Sequence, residues 1–148
     1  MIYERFFMRK IVVCGREIEI PSPIYILPDT IKVSEETGTV SGKCLFPSSD
    51  PSVGERVDHA NVCHAAFTLW NAAHIFAASK GWGRLFAIDV HQKVKGMMPP
   101  DTEIDFVASI TNVRKRSGRI VGSAKATFSL DGKTLLLMDV RRFIEEKI

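Results

Sequence analysis

The sequence predicts an α+β domain in which an antiparallel sheet wraps one long, buried helix. Three observations predict it. A single helical run over residues 58–80 carries Ala, Leu, Ile, Phe and Trp nearly all round its circumference, so it must be covered on most sides. Everything after it reads as strands separated by turn residues, and a strand–turn–strand pattern precedes it. One helix among many strands is buried by a sheet, because no second helix exists to cover it.

The elements follow in order. Residues 1–20 form an N-terminal extension, with a β-prone stretch from Ile11 to Ile20 making a strand or hairpin that leads into Pro21-Ser22-Pro23. Ile31-Lys32-Val33 and Thr39 to Phe46 flank Glu35-Glu36-Thr37-Gly38, which has hairpin-turn chemistry. Pro47 to Val57 is rich in Ser, Pro, Asp and Gly and is loop. Asp58 or Asn61 then caps the helix, since a short polar side chain accepts bonds from the first free N–H groups. The helix runs on to Lys80-Gly81, a basic last turn before a left-handed glycine. Residues 84–144 are an antiparallel meander of Leu85–Val94, Glu103–Val113, Arg119–Leu130 and Thr134–Ile144, with Ser117-Gly118 and Asp131-Gly132 as hairpin signals. Alternation is clearest at Ile104, Phe106, Ala108 and Ile110.

Composition bounds the function. The 148 residues fit a single domain. At 45% hydrophobic and 25% charged, the chain has a core of ordinary size without staples. The net charge of +3 is too small to indicate nucleic-acid binding, although a local patch can still hold phosphate. That charge is uneven, −1 up to Gly83 and +4 from Arg84 onward. Cys14, Cys44 and Cys63 stand far apart and are odd in number, which disfavours a disulfide scaffold or a zinc site. The first ten residues carry charges through any apolar stretch, unlike a signal peptide, and the run from Asn61 to Ser79 is too polar to span a membrane. The expectation is a reduced, cytoplasmic protein.

Asp58-His59-Ala60-Asn61-Val62 at the helix start, and Val90 to Ile104 with its Pro99-Pro100-Asp101 turn, resemble the hotdog superfamily of acyl-thioester enzymes. The first is similar to the G-H-x-N helix start of 4-hydroxybenzoyl-CoA-type thioesterases, the second to the superfamily's strand–turn–strand. The resemblance covers residues 22–144. Phe46 to Asp50 followed by Asn61 is also similar to the FcoT-type fatty acyl-CoA thioesterases, where Asn61 matches the first helix asparagine. Asn71 lies one position from the second. The tyrosine of the preceding loop is absent, with Val53 near its place and only Tyr3 and Tyr25 in the chain.

The resemblance implies a hotdog fold assembled as a homodimer or dimer of dimers. It also implies an acyl-CoA or acyl-carrier-protein thioesterase with no cofactor of its own, coenzyme A or phosphopantetheine being part of the substrate. A 3-hydroxyacyl-carrier-protein dehydratase and a non-catalytic acyl-thioester binding protein are the alternatives. Thioester hydrolysis needs a polarised carbonyl, an aimed water and a base. Unpaired N–H groups at a helix N-terminus meet the oxyanion, which points to Asn61 through His64. His64, Thr68 and Asn71 fall on one helical face as a polar stripe.

The candidate catalytic set is Asp58, His59, Asn61, His64 and Asn71, with Asn71 orienting. Glu55, Asp89 and His91 are further candidates for the base, because the helix itself holds no Asp or Glu between His59 and Lys80. Each has a structural reading beside it: His59 as a cap, His64 and His74 as bonded core histidines, Asn71 as a buried or interface hydrogen-bonder, Cys63 as inert packing. Arg114, Lys115 and Arg116, with Lys93 lining the same mouth, are expected to hold carrier phosphates or dock an acidic carrier protein, or else to keep a hairpin tip solvated. A His facing a carboxylate in a closed tunnel would favour the dehydratase. Asn61 and Asn71 converging in an open one would favour the thioesterase.

Overall fold

Three two-residue turns punctuate the chain: Cys14-Gly15, Ser117-Gly118 and Asp131-Gly132 each hold positive φ at both positions. That is the type I′ geometry, whose twist matches the strands it joins, and glycine in second place takes it without strain. In the computed structural model, which describes residues 9–50 and 62–146, the first turn joins β1 (Arg9–Val13) to β2 (Arg16–Ile20) as a separate two-stranded sheet. A 3-10 turn at Pro28–Thr30 leads into β3 (Lys32–Ser34) and β4 (Thr39–Cys44). The helix α1 (Val62–Lys80) follows, then β5 (Leu85–Val94), β6 (Ile104–Arg116), β7 (Arg119–Leu130) and β8 (Lys133–Glu145).

The expected bounds of β5 and β7 coincide with those observed, and β6 extends three residues beyond its expected end. The meander needs correcting. The sheet order is β3-β4-β6-β7-β8-β5, all antiparallel, so β6 to β8 run as a meander while β5 crosses to the far side of β8. Local patterning defines a strand but leaves its partner open. Here β4 takes the place beside β6 that a simple meander would give to β5.

Leu69, Ala72, Ala73 and Phe76 of α1 are buried with Val40, Phe106, Phe128 and Leu136 of the sheet. The β1–β2 hairpin also packs on α1: its Ile18 and Ile20 join the same core and its Arg16 donates to the Ala78 carbonyl at 2.7 Å. The helix ends as the sequence indicates. Gly81 takes φ 71°, with Trp82 N donating to Ala77 O at 2.9 Å and Gly81 N to Ala78 O at 3.3 Å, a Schellman closure of the last carbonyls. Among the described residues no helix is long and apolar enough to cross a membrane.

The two sheet edges differ. β3 is three residues long, a blunt edge. β5 is ten residues long and exposed from Phe86 through Val94.

Candidate functional site

Asp50 and Tyr25 meet at the N-terminal end of α1. Tyr25 lies in the connection from β2 to β3, held against β4 by Leu45 N donating to Tyr25 O at 2.9 Å and Leu27 N to Lys43 O at 2.8 Å. Its hydroxyl donates to Asp50 Oδ2 at 2.8 Å. Its ring packs edge-on against His64 with centroids 5.4 Å apart, and Phe46 completes the cluster 5.9 Å from His64. His64 is buried on the first turn of α1.

The segment carrying Phe46 is pinned from outside. Asp101 N donates to Phe46 O at 2.9 Å and Ser48 N donates to Asp101 Oδ1 at 2.9 Å. These bonds from Ser48 hold the Asp101 carboxyl below its usual range. Asp101 sits at φ 56°, a left-handed conformation that Asp tolerates.

The polar stripe exists. Thr68 Oγ1 donates to His64 O at 3.0 Å, and Asn71 is fully buried. Asn71 is bonded to the segment that carries Tyr25. Its Oδ1 accepts from Tyr25 N at 3.1 Å and its Nδ2 donates to Ser22 Oγ and to Pro23 O, each at 3.0 Å. These bonds tie the Tyr25 segment to α1. Cys63 is exposed and is not core packing, while burial pushes the Cys44 thiol up to about 12 and makes it a poor nucleophile. Glu55, Asp58, His59 and Asn61 lie outside the described residues.

Tyr25 and Asp50 were missed in the sequence because the family pattern puts a tyrosine in the loop just before the helix. Here Tyr25 reaches the same end of the helix from far upstream. The one signal was the scarcity of tyrosine itself.

No family model and no curated protein matches the chain. Solved structures do match it. A proposed thioesterase and phenylacetic acid degradation-related protein from Ralstonia eutropha JMP134 superposes with a TM-score of 0.59 at 11% identity over 78% of this chain and 83% of that one. The E. coli PaaI protein from the phenylacetic acid degradation operon gives 0.56 at 10% identity over 78% and 81%. A proposed thioesterase from Shewanella oneidensis gives 0.53 at 14% over 78% and 81%. The chain has the hotdog fold.

Within this hotdog fold His74 is structural. Leu85 N donates to its Nε2 at 3.1 Å, so the ring proton sits on Nδ1, 2.8 Å from Trp70 O. Burial holds its pKa below the usual 6.5. The unfolded chain therefore binds a proton more readily than the folded one. The neutral ring's contribution is complete above pH 6.5 and is lost progressively as pH falls below it. Urea midpoints of the wild type and His74→Gln, compared between pH 7.5 and 5.5, should converge as pH falls. Parallel curves would show that His74 carries no such linkage.

His91 lies within hydrogen-bond reach of Asp89, 2.7 Å from Nε2 to Oδ1, but both belong to β5 and are half-exposed. They do not face each other across a closed tunnel. Lys93 is separated from the arginines it was expected to join: it pairs with Leu137, in the row of Thr127 and Val107, whereas Arg114 lies seven residues farther along β6. At ~3.3 Å per residue this is roughly 23 Å. Within one hotdog chain these cations do not line one mouth.

Proposed function

We propose that the protein hydrolyses acyl thioesters at the N-terminal end of α1. The observation that carries this reading is the Tyr25–Asp50 hydrogen bond set against His64 on the helix's first turn. The thioesterase names of several hotdog neighbours add support. The first-turn amides face the oxyanion that forms when water attacks the thioester carbonyl carbon. Asp50 takes the proton of that water while Tyr25 orients the carboxylate. The C–S bond then breaks as the departing sulfur takes that proton from Asp50, releasing the acid and the thiol. Asn61, adjoining the helix in sequence, holds the carbonyl or the water, and His59 and Asp58 flank it by their resemblance to the family's helix start.

The test is thiol release from a panel of acyl-CoA, acyl-carrier-protein and acyl-N-acetylcysteamine thioesters. Asn61→Ala and Asp50→Asn are each expected to lower turnover about 100-fold, the usual effect of losing an oxyanion donor or a general base. A panel in which no thioester loses thiol faster than its blank would end the proposal. Enoyl product from 3-hydroxyacyl carriers would replace it with a lyase.

The functional unit in this reading is a homodimer joined through β5. A ten-residue edge strand with unpaired backbone groups and exposed Val90 and Val94 is a template for a second copy. Twice the chain mass in solution is expected, reduced to one mass by a proline at Gln92.

A further inference from the structure

Strand pairing lapses at one level across β6, β7, β8 and β5. Between β6 and β7 the register skips Asn112 and Val113 against Gly122, between β7 and β8 it skips Ser123 against Arg141 and Arg142, and Asp89 of β5 and Arg141 are left unpaired between β8 and β5. Asn112 and Asp89 take φ 55° and 63° there, and Ser123 Oγ secures the irregularity by donating to Arg141 O at 2.9 Å. Aligned bulges bend a sheet and re-aim the side chains beside them.

The bend forms a concavity of about 150 Å³ walled by Arg114, Arg116, Arg141 and Arg142, with Asn112 and Ser123 between them. No carboxylate lines it. Among the described residues none of the four guanidinium groups makes an ion pair or a hydrogen bond. Lys115, between two of the arginines in the strand, alternates to the other face. Four unpaired guanidinium groups around one small space repel each other unless an anion sits among them, and the planar fork of arginine fits phosphate oxygens two at a time.

An apolar platform adjoins the arginines on the same face. Ile88 lies opposite Arg142 in register and Phe86 opposite Ile144, which in turn pairs with Val121 at the concavity. Phe86 and Ile88 are each 39% exposed. Two strand spacings, roughly 10 Å, separate Phe86 from Val121.

We propose that this concavity binds the phosphate groups of a nucleotide-bearing ligand, with Phe86 and Ile88 receiving its base. The site is distinct from the one at the start of α1. Arg114 lies ten residues along β6 from Ile104, whose carbonyl meets Cys44 beside Thr68, at most about 33 Å at ~3.3 Å per residue of straight strand. The nucleotide is either free or the handle of coenzyme A, and the two share the chemistry recognised here.

Calorimetric titration of the full chain with coenzyme A, ADP, inorganic pyrophosphate and pantetheine tests the proposal. Coenzyme A, ADP and pyrophosphate should bind and pantetheine should not. Arg141→Gln with Arg142→Gln should weaken all three at least tenfold with a ligand-free thermal midpoint no lower than that of the wild type, and Phe86→Ala should weaken ADP but not pyrophosphate. ADP binding as tightly as coenzyme A identifies a free nucleotide; coenzyme A binding tenfold tighter identifies the carrier. Absence of binding by coenzyme A, ADP and pyrophosphate, or equal binding to the arginine variant, would overturn it. Because hydrolysis of the N-acetylcysteamine thioester involves no phosphate, failure of the hydrolase reading and failure of this one are separately visible.

Discussion

Phe143→Ala is expected to destabilise the fold by about 3–5 kcal/mol, the range for removing a fully buried aromatic ring. Phe143 has no exposed surface and stands at the helix C-terminal end with Trp82, 6.4 Å between centroids, which itself packs edge-on against Phe76 at 5.5 Å. The ring also explains Gly122 in the neighbouring strand. A Cβ there would lie 2.6 Å from Phe143 Cζ and 3.1 Å from the Thr111 carbonyl. Gly122→Ala alone should therefore cost about 1–3 kcal/mol through overpacking.

In the Phe143→Ala background the same change should become nearly neutral, since the atom it collides with has gone and a strand gains from exchanging glycine for alanine. The two sites are coupled by their contact, and a double-mutant cycle in urea should show a coupling of about 1–2 kcal/mol. Strict additivity would mean that the ring does not occupy the space left by the glycine.

Asn71→Leu, close in volume but apolar, should cost roughly 3 kcal/mol, because it strands the Tyr25 amide, the Ser22 hydroxyl and the Pro23 carbonyl at about 1–3 kcal/mol each before the loop relaxes toward water. The functional consequence separates two roles. If Asn71 positions Tyr25, then Asn71→Leu loses thermal stability together with turnover, and Asn71→Asp, which keeps the acceptor for Tyr25 N, loses less of both. An Asn71→Leu variant with wild-type stability and abolished turnover would instead return Asn71 to the reacting atoms.

Much of the fold was legible because it is set by neighbours in sequence. The Ser117-Gly118 and Asp131-Gly132 turns follow from which residues tolerate positive φ. The alternation from Ile104 to Ile110 follows from the pleat, and all four side chains are buried as it requires. Gly81 closes α1 because a helix's last carbonyls need partners. The candidate site was only partly legible. His64 and Thr68 fall on their face by helical spacing, yet the partner of His64 is Tyr25 and the neighbour of Tyr25 is Asp50, residues far apart in the chain. Asn71 was recognisable as a buried amide that must be bonded, but not to what.

The sequence by itself determined the α+β class, the single all-round buried helix, the turns, and the concentration of positive charge after Arg84, since local sterics, side-chain period and composition decide these. Only the tertiary structure decided that β5 leaves the meander for the outer edge of β8, that Tyr25 reaches the start of α1, and that bulges on separate strands align to gather Arg114, Arg116, Arg141 and Arg142. Such pairings depend on which distant segments can cover the helix together. That is a property of packing in three dimensions, and no window of neighbouring residues contains it.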